Sequence, residues 1–210
     1  MIEEKKKRKK RSDKKVDCKP TIPVNLKECI YRISYITKTP VKDVAEEICH
    51  TGLESKIVME NLSKFFRRDF QVGNTFFMGD LERISLQRAR SKDQTERITI
   101  RFNQNTYERI CALGYALDVT PSKATALLLE ASVKTTRFID RFTKEYLKEN
   151  MDSGRLRELR KVIKYLNANN PYEEEISWGA LLSYLFEELK PNKNNLTSSV
   201  NGWLKKIRNE

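Results

Sequence analysis

Between Arg97 and Asn103 the chain reads RITIRFN, in which Ile98, Ile100 and Phe102 alternate with Arg97, Thr99, Arg101 and Asn103. A period of two separates apolar from polar side chains, which predicts a short half-buried strand. The period then changes. From Asn105 onward Tyr107, Ile110, Cys111, Leu113, Gly114 and Leu117 recur at steps of three and four, predicting an amphipathic helix that stops near Asp118. Thr120-Pro121-Ser122-Lys123 comes next, an N-cap and a proline at the first helical position ahead of ATALLLEASV, so a second helix starts there. A lone strand this short leaves its backbone groups unpaired and needs a partner strand.

The order strand, helix, turn, helix, covering about Glu96 to Val133, resembles the ribbon-helix-helix DNA-binding family of the Arc and MetJ type. In that family two strands pair antiparallel, their outward side chains enter the major groove, and the second helix holds a backbone phosphate at its N-terminus. The resemblance therefore implies that Arg97, Thr99 and Arg101 read bases and that Thr120, Ser122 and Lys123 bind phosphate. The residue types suit these roles: an arginine fork matches guanine O6 and N7, and free amides at a helix start suit a phosphate oxygen. The competing reading is an ordinary surface strand on an α+β domain.

A second copy lies upstream in PTIPVNLKECIYRISYITKTPVKDVAEEICHTGL. Ile22, Val24 and Leu26 alternate, Ile30, Ile33 and Ile36 follow at helical spacing, and Thr39-Pro40-Val41-Lys42 repeats the cap and proline that start a second helix. Val44, Ala45, Ile48 and Cys49 form that helix's buried side. The copy is degenerate: its first helix reads as shorter, and Pro20 and Pro23 have opposite parity, so one of them must remove a ladder bond if both are paired. With the strand starting after Pro20, Thr21, Pro23 and Asn25 face outward. By the same resemblance Thr21 and Asn25 become weaker base readers, and Thr39 and Lys42 further phosphate ligands. An unrelated helical segment is the alternative. Two units in one chain point to Arg97, Thr99 and Arg101 pairing opposite Thr21, Pro23 and Asn25 within a single molecule; pairing between identical units of two molecules is the alternative.

The remaining segments predict a division into a basic tail (1–15), a first unit (16–55), a partly helical connector (56–95), a second unit (96–135) and a helical C-terminal domain (136–210). In the connector, Ile57, Leu62, Phe65 and Phe66 suggest helix, Gly73 and Gly79 mark breaks, and Asp80 is placed to cap a helix burying Leu81, Ile84 and Ala89. Arg67, Arg68, Arg83, Arg88 and Arg90 are either solvated or phosphate contacts. Beyond the second unit, apolar stripes at Phe138 to Leu147, Leu156 to Leu166, Trp178 to Phe186 and Val200 to Ile207 predict further helices.

Composition sharpens this picture. Among 210 residues, 41 Lys+Arg against 29 Asp+Glu give a formal net charge of +12, and nine of the basic residues fall in the first fifteen positions. That run is a solvated tail or an arm that condenses on nucleic acid. One histidine, His50, excludes a multi-histidine metal site, and seven scattered glycines exclude a phosphate-cradling loop. Cys18, Cys29, Cys49 and Cys111 lack paired spacing and read as reduced thiols on apolar faces; a zinc site from Cys49 and His50 with Cys18 or Cys29 lacks any CxxC knuckle. Glu173-Glu174-Glu175 has no identifiable partner base, so DNA cleavage or joining through these acids or a tyrosine is a poor reading. No membrane-length apolar run and no signal-peptide core are visible, and the expected location is the cytoplasm, at the nucleoid.

The expected fold is mostly α with short β-strands: tandem ribbon-helix-helix units forming a two-stranded antiparallel ribbon, plus a helical C-terminal domain. The function this implies is sequence-specific double-stranded DNA binding, as a bacterial, plasmid or phage repressor or DNA-maintenance accessory. It needs no catalytic residue, metal or cofactor. Self-association or a protein partner at the C-terminal helices is a further expectation, and an antitoxin-like interaction protein is the alternative class.

Overall fold

The structure, a computed structural model, describes residues 15–89, 93–135, 153–168 and 170–172. These residues are mostly helical, with short antiparallel strand pairs. Strands β1 (Val16–Cys18) and β2 (Thr21–Pro23) lead into helices α1 (Val24–Thr37) and α2 (Val41–Glu54). Helix α3 (Lys56–Ser63) and a hairpin of β3 (Phe70–Val72) and β4 (Thr75–Phe77) follow. Strands β5 (Thr95–Arg97) and β6 (Ile100–Phe102) then precede α4 (Gln104–Leu117) and α5 (Pro121–Val133), and α6 covers Ser153–Asn167.

The alternation in RITIRFN is realised: Ile98, Ile100 and Phe102 are buried while Arg97, Thr99 and Arg101 are exposed. The partner strand comes from the same chain. Val16, Asp17 and Cys18 face Phe102, Arg101 and Ile100, and Thr21, Ile22 and Pro23 face Arg97, Glu96 and Thr95. Both ladders keep one register, which sets Lys19 against Thr99 between them. Pro20 interrupts the ladder because it has no N–H, yet its carbonyl accepts a bond from the Ile98 N–H at 3.2 Å.

Three expectations for the first half are corrected here. The strand begins at Val16, before Pro20. Asn25 lies in the first turn of α1, because Pro23 ends β2 and the helix starts at once. Helix α1 is therefore no shorter than α4; each has 14 residues and each ends in a left-handed residue, Lys38 and Asp118. Both halves thus run strand, helix, helix, and Val24 and Gln104, like Val41 and Pro121, stand eighty positions apart.

Helices α2 and α5 cross at Gly52 and Ser132, a pair with the same spacing of eighty. A Cβ on Gly52 would lie 2.8 Å from the Ser132 Cβ, so only glycine permits this approach. Leu26, Ile30, Ile33, Ile48 and Leu53 from the first half share one core with Ile100, Phe102, Ile110, Leu113 and Leu129 from the second. Cys18, Cys29 and Cys49 are buried in it and Cys111 is half-buried, all as free thiols. Burial pushes the Cys29 thiol up to about 12 and Cys49 well above its ordinary value.

The connector departs from expectation. Its helical signal yields α3, capped by the buried Ser55 hydroxyl, which accepts from the Val58 N–H. Among the described residues between Asp80 and β5 there is no α-helix: Leu81 and Ile84 are exposed, one 3-10 turn forms at Leu86–Arg88, and Ala89 is exposed. The apolar spacing there had no surface to bury against. The hairpin turns at Gly73, whose φ of 56° favours glycine, and Gly73-Asn74 between two short apolar strands is itself a hairpin signal. Phe66, fully buried, meets the rings of Phe70 and Phe77 edge-on at 5.3 and 5.9 Å.

Helix α6 buries Leu159, Val162, Ile163 and Leu166 in the same core and packs along α1. At about 1.5–3 kcal/mol per large aliphatic side chain, this stripe is the main fastening. An ion pair between Arg32 and Glu158 at 3.0 Å adds direction. Tyr172 donates to the Ala131 carbonyl at 3.0 Å, and burial pushes its hydroxyl up to about 12. The apolar stripes expected at 138–147, 178–186 and 200–207, the acidic run at 173–175 and most of the basic tail lie outside the described residues.

Candidate functional site

A pleated strand sends alternate side chains to one side, and the observed register brings six of them together. Asp17, Lys19 and Thr21 come from one strand, and Arg97, Thr99 and Arg101 from the other; all are exposed. Arg97 stands opposite Thr21, where an antiparallel pairing with Thr21, Pro23 and Asn25 would have set it against Asn25. Arg101, however, stands opposite Asp17, and its Nε meets Asp17 Oδ1 at 3.0 Å. Pro23 faces Thr95, and Asn25 is absent from this face because it belongs to α1. Asp17 and Lys19 were missed for one reason: placing the strand start after Pro20 discarded the alternation of Val16, Cys18, Pro20 and Ile22, which is visible in the sequence.

The start of α5 adjoins this face across a cavity of about 820 Å³, lined by Lys19, Thr21 and Arg97 on one side and Thr120, Ser122 and Lys123 on the other. Thr120 caps the helix, its hydroxyl accepting from the Lys123 N–H at 3.3 Å, and Pro121 takes the first helical position. The expected phosphate ligands are already engaged. The Thr120 N–H donates to Gln87 Oε1 at 2.9 Å, the Lys123 ammonium donates to the Ala89 carbonyl at 2.9 Å, and the Ser122 hydroxyl lies 3.7 Å from the Cys18 sulfur. The connector therefore crosses the start of α5.

The start of α2 differs. Its N-cap is Pro40 and not Thr39, no side chain caps it, and Thr39 instead closes the preceding turn by accepting from Ser34 at its carbonyl. Lys42 is exposed in the first turn, beside the acidic Asp43. An acid there competes with any anion for the amides. Thr39 and Lys42 are thus not arranged as Thr120 and Lys123 are at the start of α5.

On the other flank of the strands, Lys27 of α1 pairs with Glu96, which raises the lysine pKa and ties α1 to β5. His50 Nε2 lies 3.6 Å from Glu54 Oε1, one turn further along α2. Among the described residues no three His, Cys, Asp or Glu side chains gather in a metal-binding arrangement. No described helix is long and apolar enough to cross a membrane. No family model, curated protein or solved structure matches the chain.

Proposed function

We propose that this chain is a sequence-specific double-stranded DNA-binding protein made of two ribbon-helix-helix units in tandem. It acts as a bacterial, plasmid or phage transcriptional repressor or DNA-maintenance accessory, without a cofactor. One observation carries the reading: Lys19, Arg97 and Arg101 share an exposed strand face with Thr21 and Thr99, beside the start of α5. Such a face has the width of a two-stranded ribbon, which the major groove admits. The repeated strand, helix, helix order and strand pairing within one chain support the tandem arrangement. Because the outward residues differ between the two strands, the favoured site is non-palindromic; an inverted repeat would mirror identical units.

Selection of bound duplexes from a random pool, followed by footprinting, tests this. On the selected site Arg97→Ala is expected to cost about 1–3 kcal/mol and to relax one base position, while Lys123→Ala weakens all duplexes alike. Equal losses on selected and random DNA for both variants would show that the strand face reads no bases. A second expectation concerns the connector. A phosphate oxygen and Gln87 compete for the same Thr120 N–H, so Gln87→Ala is expected to tighten binding to random duplex by about 0.5–1.5 kcal/mol in a fluorescence-anisotropy titration. Weaker binding would mean that Gln87 itself touches DNA.

A further inference from the structure

The outward strand face carries one acid among its cations, and the position of that acid is informative. With the spacing of eighty that relates α1 to α4, Asp17 corresponds to Arg97 and Thr21 to Arg101, while Lys19 and Thr99 correspond to each other at the centre. One end of the face therefore presents Arg97 beside neutral Thr21, and the other presents Arg101 beside Asp17. An exposed carboxylate facing a duplex repels phosphate and lowers affinity for every sequence. Its contribution must be sought in selectivity.

The contact supplies one. Asp17 Oδ1 and Arg101 Nε form an exposed ion pair at 3.0 Å. A carboxylate that accepts from Nε orients a guanidinium and leaves Nη1 and Nη2, the pair that forks onto guanine O6 and N7, free for the base. The second carboxylate oxygen is an acceptor, suited to the amino group of cytosine or adenine and unsuited to thymine O4. Thr21 offers Arg97 no charged partner across the ladder.

Resting on the DNA-binding reading above, we propose that Asp17 is a positioning residue, which holds Arg101 through Nε and makes guanine the required base at that end of the bound site. The opposite end, at Arg97 and Thr21, tolerates more bases. The site is consequently asymmetric in strictness as well as in sequence.

Full-length wild type, Asp17→Ala and Asp17→Asn should each be put through selection from a random duplex pool, then titrated on the selected site, on its single-base variants and on random duplex. In wild type one end is expected to show a strict guanine. Asp17→Ala is expected to lower the guanine preference there by roughly tenfold while binding random duplex as tightly as wild type or tighter. Asp17→Asn, which keeps an acceptor for Nε, should retain much of the preference. A guanine preference unchanged in Asp17→Ala, with all affinities raised equally, would overturn the positioning role and leave Asp17 a plain charge penalty. Failure of wild type to enrich any duplex is a different result, and it would overturn the DNA-binding reading together with this one. Because Asp17 is exposed, all three proteins are expected to share one melting temperature, which separates the selectivity change from unfolding.

Discussion

Phe66→Ala is expected to destabilise the protein by about 3–5 kcal/mol, the cost of emptying a fully buried aromatic site that can collapse only in part. The ring meets those of Phe70 and Phe77 in edge-to-face contacts, so its loss removes part of the packing that holds the β3–β4 hairpin to the body. Neighbouring bonds would loosen with it. The Phe66 carbonyl accepts from the Asp80 N–H and from Arg83, and the amides of Arg67 and Arg68 both donate to the Ala116 carbonyl at the end of α4. For a chain of this size each kcal/mol is worth about 2–4 °C in melting temperature, so scanning calorimetry should record a fall of roughly 6–20 °C. A loss below about 1 kcal/mol would mean that the hairpin packs loosely on the body.

Gly52→Ala opposes two effects of known sign. Alanine is the better helix former by about 1 kcal/mol, which favours the variant. Against this, the new Cβ would stand 1.8 Å from the Ser132 hydroxyl oxygen, 2.8 Å from its Cβ and 3.1 Å from Leu128 Cδ1. Rotating the hydroxyl relieves the first overlap at the cost of its bond to the Leu128 carbonyl, but nothing short of moving α2 away from α5 relieves the second. Overpacking therefore wins, and a net loss of about 1–3 kcal/mol is expected in urea unfolding. The partner variant checks the cause. Ser132→Gly in the Gly52→Ala background moves the small residue to the other helix and should recover most of the loss; no recovery would place the strain elsewhere.

The parts legible in the sequence were those whose causes are local. Alternation in Arg97 to Phe102, the three-and-four spacing of Ile110, Leu113 and Leu117, and the Thr120-Pro121 start of α5 each act over a few residues. Pro20 misled because the rule concerns donors: a proline removes an N–H from a ladder but keeps a carbonyl, and that carbonyl bonds Ile98. Shifting the strand start past Pro20 carried Asn25 onto the face, removed Asp17 and Lys19 from it, and shortened α1. Leu81 and Ile84 misled differently, since helical spacing signals a helix only where some surface exists to cover it.

By itself the sequence determined the helix and strand types of both halves, the basic character of the chain and the exposed arginines of RITIRFN, because periodicity, capping and charge are properties of neighbours along the chain. The tertiary structure alone decided that Asp17 faces Arg101, that Gln87 and Ala89 occupy the start of α5, and that α2 and α5 cross where Gly52 has no side chain. Each of these joins residues far apart in the chain, and the interaction exists only when the ladder register and the helix crossing are both set. A single pattern read along the chain carries no record of which distant partner supplies the other half of such a contact.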